Sequence, residues 1–244
     1  MIQDIFFNNR YLSEYGCVIT APPSRPFPKR RFEKISIPGR NGDLVLDDEC
    51  YENIQIKYKV ETIPDLYGVK DIDEVLHDLK AWLLTSVEYR KLYDTELPDG
   101  FYYAFCSNIS NAVKVFENMY EFEITFDCKP FFYLNSGQIE QNITSENIVI
   151  YNEGNYKSYP LIRINGSGQV SCQIESNNNR CTISDISPNI IIDCEKKLVY
   201  SSSHTDKSDL FSGAFPVFYT GTNLVTFRGN GFQSATIMTR WCKL

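Results

Sequence analysis

Few side chains of this 244-residue chain are spaced in a way that could perform catalysis. His204, one of two histidines, lies between Ser201 and Asp206, so the residue types of a Ser-His-Asp triad occur close together. Glu121 and Glu123 fall on one face of a predicted strand, as a glycosidase pair requires. A polar loop and an outward-facing strand surface explain these residues without chemistry, and we favour these interpretations.

Metal and cofactor motifs are equally sparse. The carboxylates of residues 47–49 could hold Ca²⁺, but they lack the alternating oxygen ligands of a calcium loop, so a solvated turn is expected. The eight cysteines contain no C-x-x-C pair, which favours free thiols over a zinc site. Cys172 and Cys181 flank a predicted hairpin, and the sequence leaves open whether they pair. We therefore predict no enzyme activity, no cofactor and no metal.

Composition narrows the class of protein. The net charge of −7 argues against duplex binding, because phosphate neutralisation needs a basic face. We find no signal-peptide pattern and no apolar run of the roughly 18 residues that a membrane span requires, so no membrane association and assembly in a cytoplasm are expected. The 16 Tyr and 16 Phe favour sheets over helix bundles.

The first half of the chain predicts strands around one helix. Apolar residues repeat at three and four positions over residues 71–85, which predicts an amphipathic helix packed on a sheet. Four prolines make residues 21–30 an extended arm rather than a central strand. Turn residues dominate 38–43, and residues 54–60 alternate as a half-buried strand does.

The second half predicts only short strands. Gly and Asn turns recur about every 8–12 residues, which is typical of a β-sandwich or jelly roll. The fold class is therefore mainly β in two domains. Residues 1–134 are expected to form a sheet-rich domain with one α-helix, and residues 135–244 a β-sandwich or jelly roll.

A series of short segments along the whole length resembles the distal tail protein (Dit) family of long non-contractile-tailed bacteriophages. The most specific is Ile-Pro-Gly-Arg-Asn-Gly-Asp-Leu at 37–44. The segments are 15–19, 37–44, 82–83, 91–94, 98–104, 122–126, 129–131, 159–162, 166–168, 191–195, 215–218 and 221–223.

The resemblance implies a structural hub of the phage tail, located in the virion. Family members form a hexameric ring that joins the tail tube to the tip or baseplate protein, including the tail-associated lysin. The N-terminal domains, each a β-sandwich with one helix and an extended arm, make the ring. A galectin-like C-terminal sandwich carries peripheral proteins such as a receptor-binding protein. DNA would pass through the bore without specific binding.

Ring or partner contacts are expected in the proline arm and in the following turn. The predicted contact residues are Pro22, Pro23, Arg25, Pro26, Phe27, Ile37, Pro38, Gly39, Arg40, Asn41, Gly42 and Asp43. The alternative function is a carbohydrate-binding module that adheres to the host surface, and a glycosidase ranks third. Sugar-stacking aromatics in the second domain would be Phe211, Phe215, Phe218, Tyr219 and Trp241, although core packing explains them as well.

Overall fold

The computed structural model describes residues 3–63, 72–116, 119–174, 179–229 and 231–244. Over these residues the chain is mainly β, with a single α-helix, which confirms the predicted fold class. It divides into two compact units, Met1–Phe132 and Tyr133–Leu244. The division lies two residues before the boundary placed from the sequence.

The first unit is built around one continuous sheet. Its described strands follow the order β2-β1-β7-β8-β10-β6-β3, and β9 pairs with the start of β10. A separate two-stranded hairpin is formed by β4 and β5. The strands are β1 (Ile5–Phe7), β2 (Arg10–Tyr11), β3 (Cys17–Ile19), β4 (Arg30–Ile35), β5 (Leu44–Tyr51), β6 (Ile54–Thr62), β7 (Arg90–Asp94), β8 (Gly100–Ile109), β9 (Val113–Phe116) and β10 (Met119–Leu134).

Helix α1 (Ile72–Leu83) packs its apolar face against this sheet, as its period predicts. The Trp82 ring stacks on Tyr15, with centroids 4.9 Å apart, and its Nε1 donates a hydrogen bond to the Phe7 carbonyl at 2.9 Å. Asp71, the first residue of the predicted helix, lies outside the described residues. The helical side chains buried in the core are Val75, Leu79, Trp82 and Leu83.

The alternation predicted for β6 and β10 is confirmed, because their apolar residues are buried on one face. The two strands are antiparallel, with Phe122 opposite Val60. From the sequence, the strand that alternates over residues 120–127 is expected to end at Lys129 and Pro130; this prediction is wrong, since β10 continues to Leu134. Pairing with β6 ends at Cys128, so a proline at 130 removes no hydrogen bond from that ladder.

The second unit contains two five-stranded antiparallel sheets, in the orders β11-β20-β13-β16-β17 and β12-β19-β14-β15-β18. Apolar residues from both sheets are fully buried, as in a β-sandwich. The sequence also predicts a short strand at residues 217–219, but the structure has only an isolated bridge there, between Ser158 and Phe218. The strands are β11 (Glu140–Ile143), β12 (Asn147–Asn152), β13 (Leu161–Gly166), β14 (Val170–Ile174), β15 (Asn179–Ile183), β16 (Asn189–Asp193), β17 (Leu198–Tyr200), β18 (Phe211–Gly213), β19 (Gly221–Arg228), β20 (Phe232–Met238) and β21 (Cys242–Lys243).

A buried ion pair ties the end of β16 to the chain after β20. Arg240 binds Asp193 through two hydrogen bonds, Nη1 to Oδ1 at 2.7 Å and Nη2 to Oδ2 at 3.3 Å. Burial favours the neutral carboxyl, but the hydrogen bond and charge of Arg240 outweigh it, so the pKa of Asp193 is lowered. The pair therefore contributes stability only while Asp193 is ionised.

Among the described residues, no helix has both the length and the apolar character needed to cross a bilayer.

Candidate assembly surface

The β4–β5 hairpin stands outside the sheet of the first unit, and almost all of it is exposed. Every residue from 30 to 50 is exposed except the half-buried Ile37. The prediction of a solvated turn at residues 47–49 is wrong, because these residues lie within β5. The carboxylate of Asp47 binds Arg30 on the opposite strand, and this pairing accounts for one of the carboxylates considered for Ca²⁺.

Apolar side chains occupy both faces of this hairpin. Directly opposed residues share a face, so Ile35, Leu44 and Leu46 lie on one side. Phe32 and Val45 lie on the other. Exposure ranges from 36% for Ile35 to 55% for Val45. An isolated two-stranded hairpin is at best marginally stable in water. Burial of both faces would remove apolar surface from water and stabilise it.

The tip of the hairpin holds the second predicted contact group. The residues from Pro38 to Asp43 are all exposed, and a hydrogen bond of 3.1 Å joins the Arg40 amide to the Ile37 carbonyl. Gly39 and Gly42 have φ values of +80° and +82°, a conformation that side chains with a Cβ rarely adopt. The two glycines and this hydrogen bond thus give the exposed loop at the end of the apolar hairpin a defined conformation.

The proline arm leads from β3 to the hairpin and is only partly exposed. Ser24 forms an antiparallel bridge with Lys57, so the arm follows β6 beyond the end of β3. Pro23 is buried in its own unit. Pro22 and Pro26 are exposed, and Phe27 is 95% exposed. Of the predicted arm contacts, these three are the ones accessible to another chain.

Arg25 is instead held by a buried carboxylate of the same unit. Its Nη2 lies 2.6 Å from Asp94, whose side chain is 4% exposed, and 3.4 Å from Glu96. Asp94 also accepts hydrogen bonds from the Tyr58 hydroxyl and from Gln3, each at 3.1 Å. This cluster, the Asp94 anchor, fixes the arm on the sheet.

The electrostatics of the Asp94 anchor keep Arg25 charged and Tyr58 protonated. Burial opposes the charge on Arg25, but the hydrogen bond to Asp94 outweighs it and raises the pKa of the guanidinium. Burial, followed by the negative charge of Asp94, raises the pKa of Tyr58 well above its ordinary value, so this hydroxyl stays protonated and donates. The sequence gives no signal for this cluster, because its members are far apart in the chain.

A second set of contacts holds the base of the hairpin. The Arg30 guanidinium lies over the Tyr51 ring, 5.9 Å from its centroid, and Tyr51 packs edge-on against Phe131 at 6.0 Å. The Glu52 amide donates to the Lys29 carbonyl at 2.8 Å. The hairpin is therefore attached firmly at its base while its apolar length remains uncovered.

Strands β9 and β12 also expose apolar side chains, at positions for which the sequence predicts no contact. In β9, Val113, Val115 and Phe116 are all more than half exposed. In β12, an edge strand of the second unit, Val149 and Tyr151 are exposed while Ile150 is buried. Edge strands with free backbone groups and apolar side chains can pair with another chain.

The residues considered for catalysis do not form a catalytic arrangement. The His204 ring stacks on Tyr200, and the Asp206 carboxylate accepts hydrogen bonds from Ser208. Glu123 is paired with Lys57 at 3.0 Å. No group of three or more metal-binding side chains occurs in the part of the chain that the structure describes.

Two of the five aromatics considered for sugar binding are unavailable. Phe218 and Trp241 are buried and pack on each other, with centroids 5.7 Å apart. Phe211 and Phe215 are half-buried and stack at 4.4 Å, while Tyr219 is exposed. Core packing therefore explains Phe218 and Trp241.

The comparisons with known proteins agree with a phage tail component. Residues 12–128 match the family model described as phage tail protein RIFT-related domain. The crystal structure of the Dit protein of bacteriophage SPP1 superposes with a TM-score of 0.79 and covers 100% of both chains at 12% sequence identity. Its title calls that protein a paradigm of the hub adsorption apparatus in phages that infect Gram-positive bacteria.

No curated protein sequence is significantly similar to this chain. The family match and the structural match together confirm the resemblance seen in the sequence. Residues 12–128 thus resemble the phage tail protein RIFT-related domain, and the chain has the fold of the SPP1 Dit protein over its whole length.

Proposed function

We propose that this protein is the structural, non-enzymatic hub of a phage tail tip, and that six copies close into a ring. The observation that carries the proposal is the β4–β5 hairpin, which exposes apolar side chains on both faces beyond a fixed base. A second copy of the chain is the partner that would cover this hairpin, because it is always present at the same concentration. In a ring, symmetry places the same acceptor surface beside every hairpin.

In this ring the contacts come from the hairpin, its tip and the exposed part of the arm. The hairpin supplies the apolar area, and the residues from Ile37 to Asp43 supply a shaped polar end. Pro22, Pro26 and Phe27 extend the same surface towards β3. Pro23 and Arg25 act indirectly, because they hold the arm in place.

The ring joins the tail tube to the tail tip or baseplate, including a tail-associated lysin, and DNA crosses its bore. Six copies, each with a net charge of −7, carry −42. Acidic side chains around the bore would repel DNA and prevent it from sticking. A bore lined by Lys and Arg in a ring structure would contradict this part of the proposal.

The second unit anchors peripheral proteins such as a receptor-binding protein. Val149 and Tyr151 on edge strand β12 support this role, because an apolar edge can accept a strand from a partner. The protein would be assembled in the host cytoplasm and released as part of the virion.

Mass photometry and negative-stain electron microscopy test the ring. Wild-type protein, studied from nanomolar to micromolar concentration, should give rings of about 170 kDa, six times the 28.2 kDa of one chain. The Val45→Asp variant places a charge on the apolar hairpin and should shift the population to monomers. Val87→Asp is the matched control, because Val87 is 77% exposed in a loop outside the hairpin.

Two results would contradict the proposal. One is a wild-type protein that stays monomeric at every concentration and also in the presence of isolated tail tubes. The other is a ring that survives Val45→Asp as well as it survives Val87→Asp.

A further inference from the structure

We propose that Cys172 and Cys181 form a reversible disulfide across strands β14 and β15 when the protein leaves a reducing environment. The two residues are directly opposite in the antiparallel register. Both are buried, at 0% and 1% exposure, and both are free thiols in the structure. The inference concerns the second unit, and only its biological setting depends on the proposed place of the protein in a virion.

The backbone already meets the geometric requirement. Directly opposed residues of antiparallel strands have Cα atoms about 4.5 or about 5.5 Å apart, depending on the type of pair. Disulfides form at Cα separations of roughly 4.4–6.8 Å. Oxidation of this pair therefore needs rotation of two side chains and no shift of the strands.

The two thiols also interact with each other. A hydrogen bond between them, together with burial, raises the pKa of Cys172 well above its ordinary value. The same hydrogen bond lowers the pKa of Cys181. Cys181 is thus the sulfur that ionises more readily and becomes the nucleophile.

Hydrogen peroxide is an oxidant small enough to enter during local opening of the sheet. The Cys181 thiolate attacks one peroxide oxygen, the O–O bond breaks, and a sulfenic acid and hydroxide form. The Cys172 sulfur then attacks the sulfenic sulfur, the S–O bond breaks and the S–S bond forms. The protons lost by the Cys181 and Cys172 thiols combine with the two released hydroxides, so two thiols lose two electrons and one peroxide becomes two waters.

Cys194 provides an internal comparison. It is buried close enough to Cys181 for the two charges to interact, but burial raises its pKa well above the ordinary thiol value. It has no cysteine opposite it in the β13–β16 register, where Leu161 faces Asp193. We expect Cys194 to remain a thiol under conditions that oxidise the pair.

Intact-mass spectrometry of the full-length native protein tests the inference. After brief exposure of the native protein to peroxide, and alkylation of the remaining thiols in denaturant, wild-type protein should show six alkylated cysteines and a loss of about 2 Da for the linked pair. Peptide mapping should place the link between Cys172 and Cys181, and dithiothreitol should restore eight alkylatable thiols. Cys194→Ser should behave like wild type with one thiol fewer, whereas Cys172→Ser and Cys181→Ser should give no link.

Peptide mapping of the wild-type protein shows whether the Cys172–Cys181 link forms, even if a serine variant folds poorly. Eight alkylatable thiols after peroxide, a link between other cysteines, or links only between chains would overturn the inference. Loss of ring assembly does not affect this readout, so failure of the proposed function and failure of the disulfide are distinguishable.

Discussion

Breaking the Asp94 anchor should destabilise the first unit far more than breaking an exposed ion pair in the same unit. Asp94 binds Arg25 at 2.6 Å and is also hydrogen-bonded by Tyr58 and Gln3, and its side chain is 4% exposed. Removal of one partner from a fully buried pair costs about 3–5 kcal/mol, and although Arg25 is 27% exposed, loss of Asp94 also leaves Tyr58 and Gln3 without their acceptor. We expect Asp94→Ala to lower the free energy of unfolding by about 3–4 kcal/mol.

A double-mutant cycle isolates the pair itself. Since 27% of the Arg25 side chain is exposed, solvent screens part of the interaction, and we expect a coupling energy between Arg25 and Asp94 of about 1.5–3 kcal/mol. The matched control is Lys57–Glu123, at 3.0 Å, with side chains 47% and 34% exposed. Its coupling should stay below about 1 kcal/mol.

Urea denaturation measures these energies separately for the first unit. Trp82 lies in helix α1, so its fluorescence in a Trp241→Phe background reports on that unit alone. Equal coupling energies for the two pairs would refute the reasoning. If the Arg25→Ala variant assembles into rings normally and shows no increase in proteolysis of residues 21–30, the anchor does not fix the arm.

Two further predictions concern the cores of the units. Trp82→Ala should cost about 3–5 kcal/mol in urea denaturation, because it leaves a cavity beside Tyr15 and removes the hydrogen bond to the Phe7 carbonyl, whereas Leu84→Ala at a 45% exposed site should cost under about 1 kcal/mol. Since the pKa of Asp193 is lowered in the folded state, its contribution is present above the ordinary carboxyl pKa of 3.8 and is lost as the pH falls through the lower folded value. The free energy of unfolding of the second unit, measured by denaturation, should therefore fall over that acidic range. The Asp193→Asn variant should be less stable at neutral pH, and its stability should depend less on pH. An unchanged dependence on acidic pH in this variant would contradict the assignment.

The elements that bury one face could be predicted from the sequence, and those without a buried face could not. Helix α1 and strands β6 and β10 alternate apolar and polar residues with the period of their burial. Strand β5 was missed, because Leu44, Val45 and Leu46 follow one another on both faces and the next three residues are acidic. A strand with neither face against the core has no alternation of buried and exposed residues, so the sequence shows no period from which to predict it.

The candidate site was predictable only in part for a related reason. Turn chemistry identified the tip at residues 38–43, since Gly39 and Gly42 act locally. The partner of Arg25 lies 69 residues further along the chain, and no local pattern encodes such a contact. Cys172 and Cys181 could be placed near a hairpin, but only the register shows that they are directly opposed.

The two-faced hairpin also affects how a ring would grow. In a head-to-tail arrangement, an open arc of any size leaves one hairpin bare at one end and one acceptor vacant at the other. Only closure satisfies both ends at once, and the last contact forms without a further loss of translational freedom. Partial arcs should then be short-lived compared with single subunits and complete rings, so that the tail receives a finished collar.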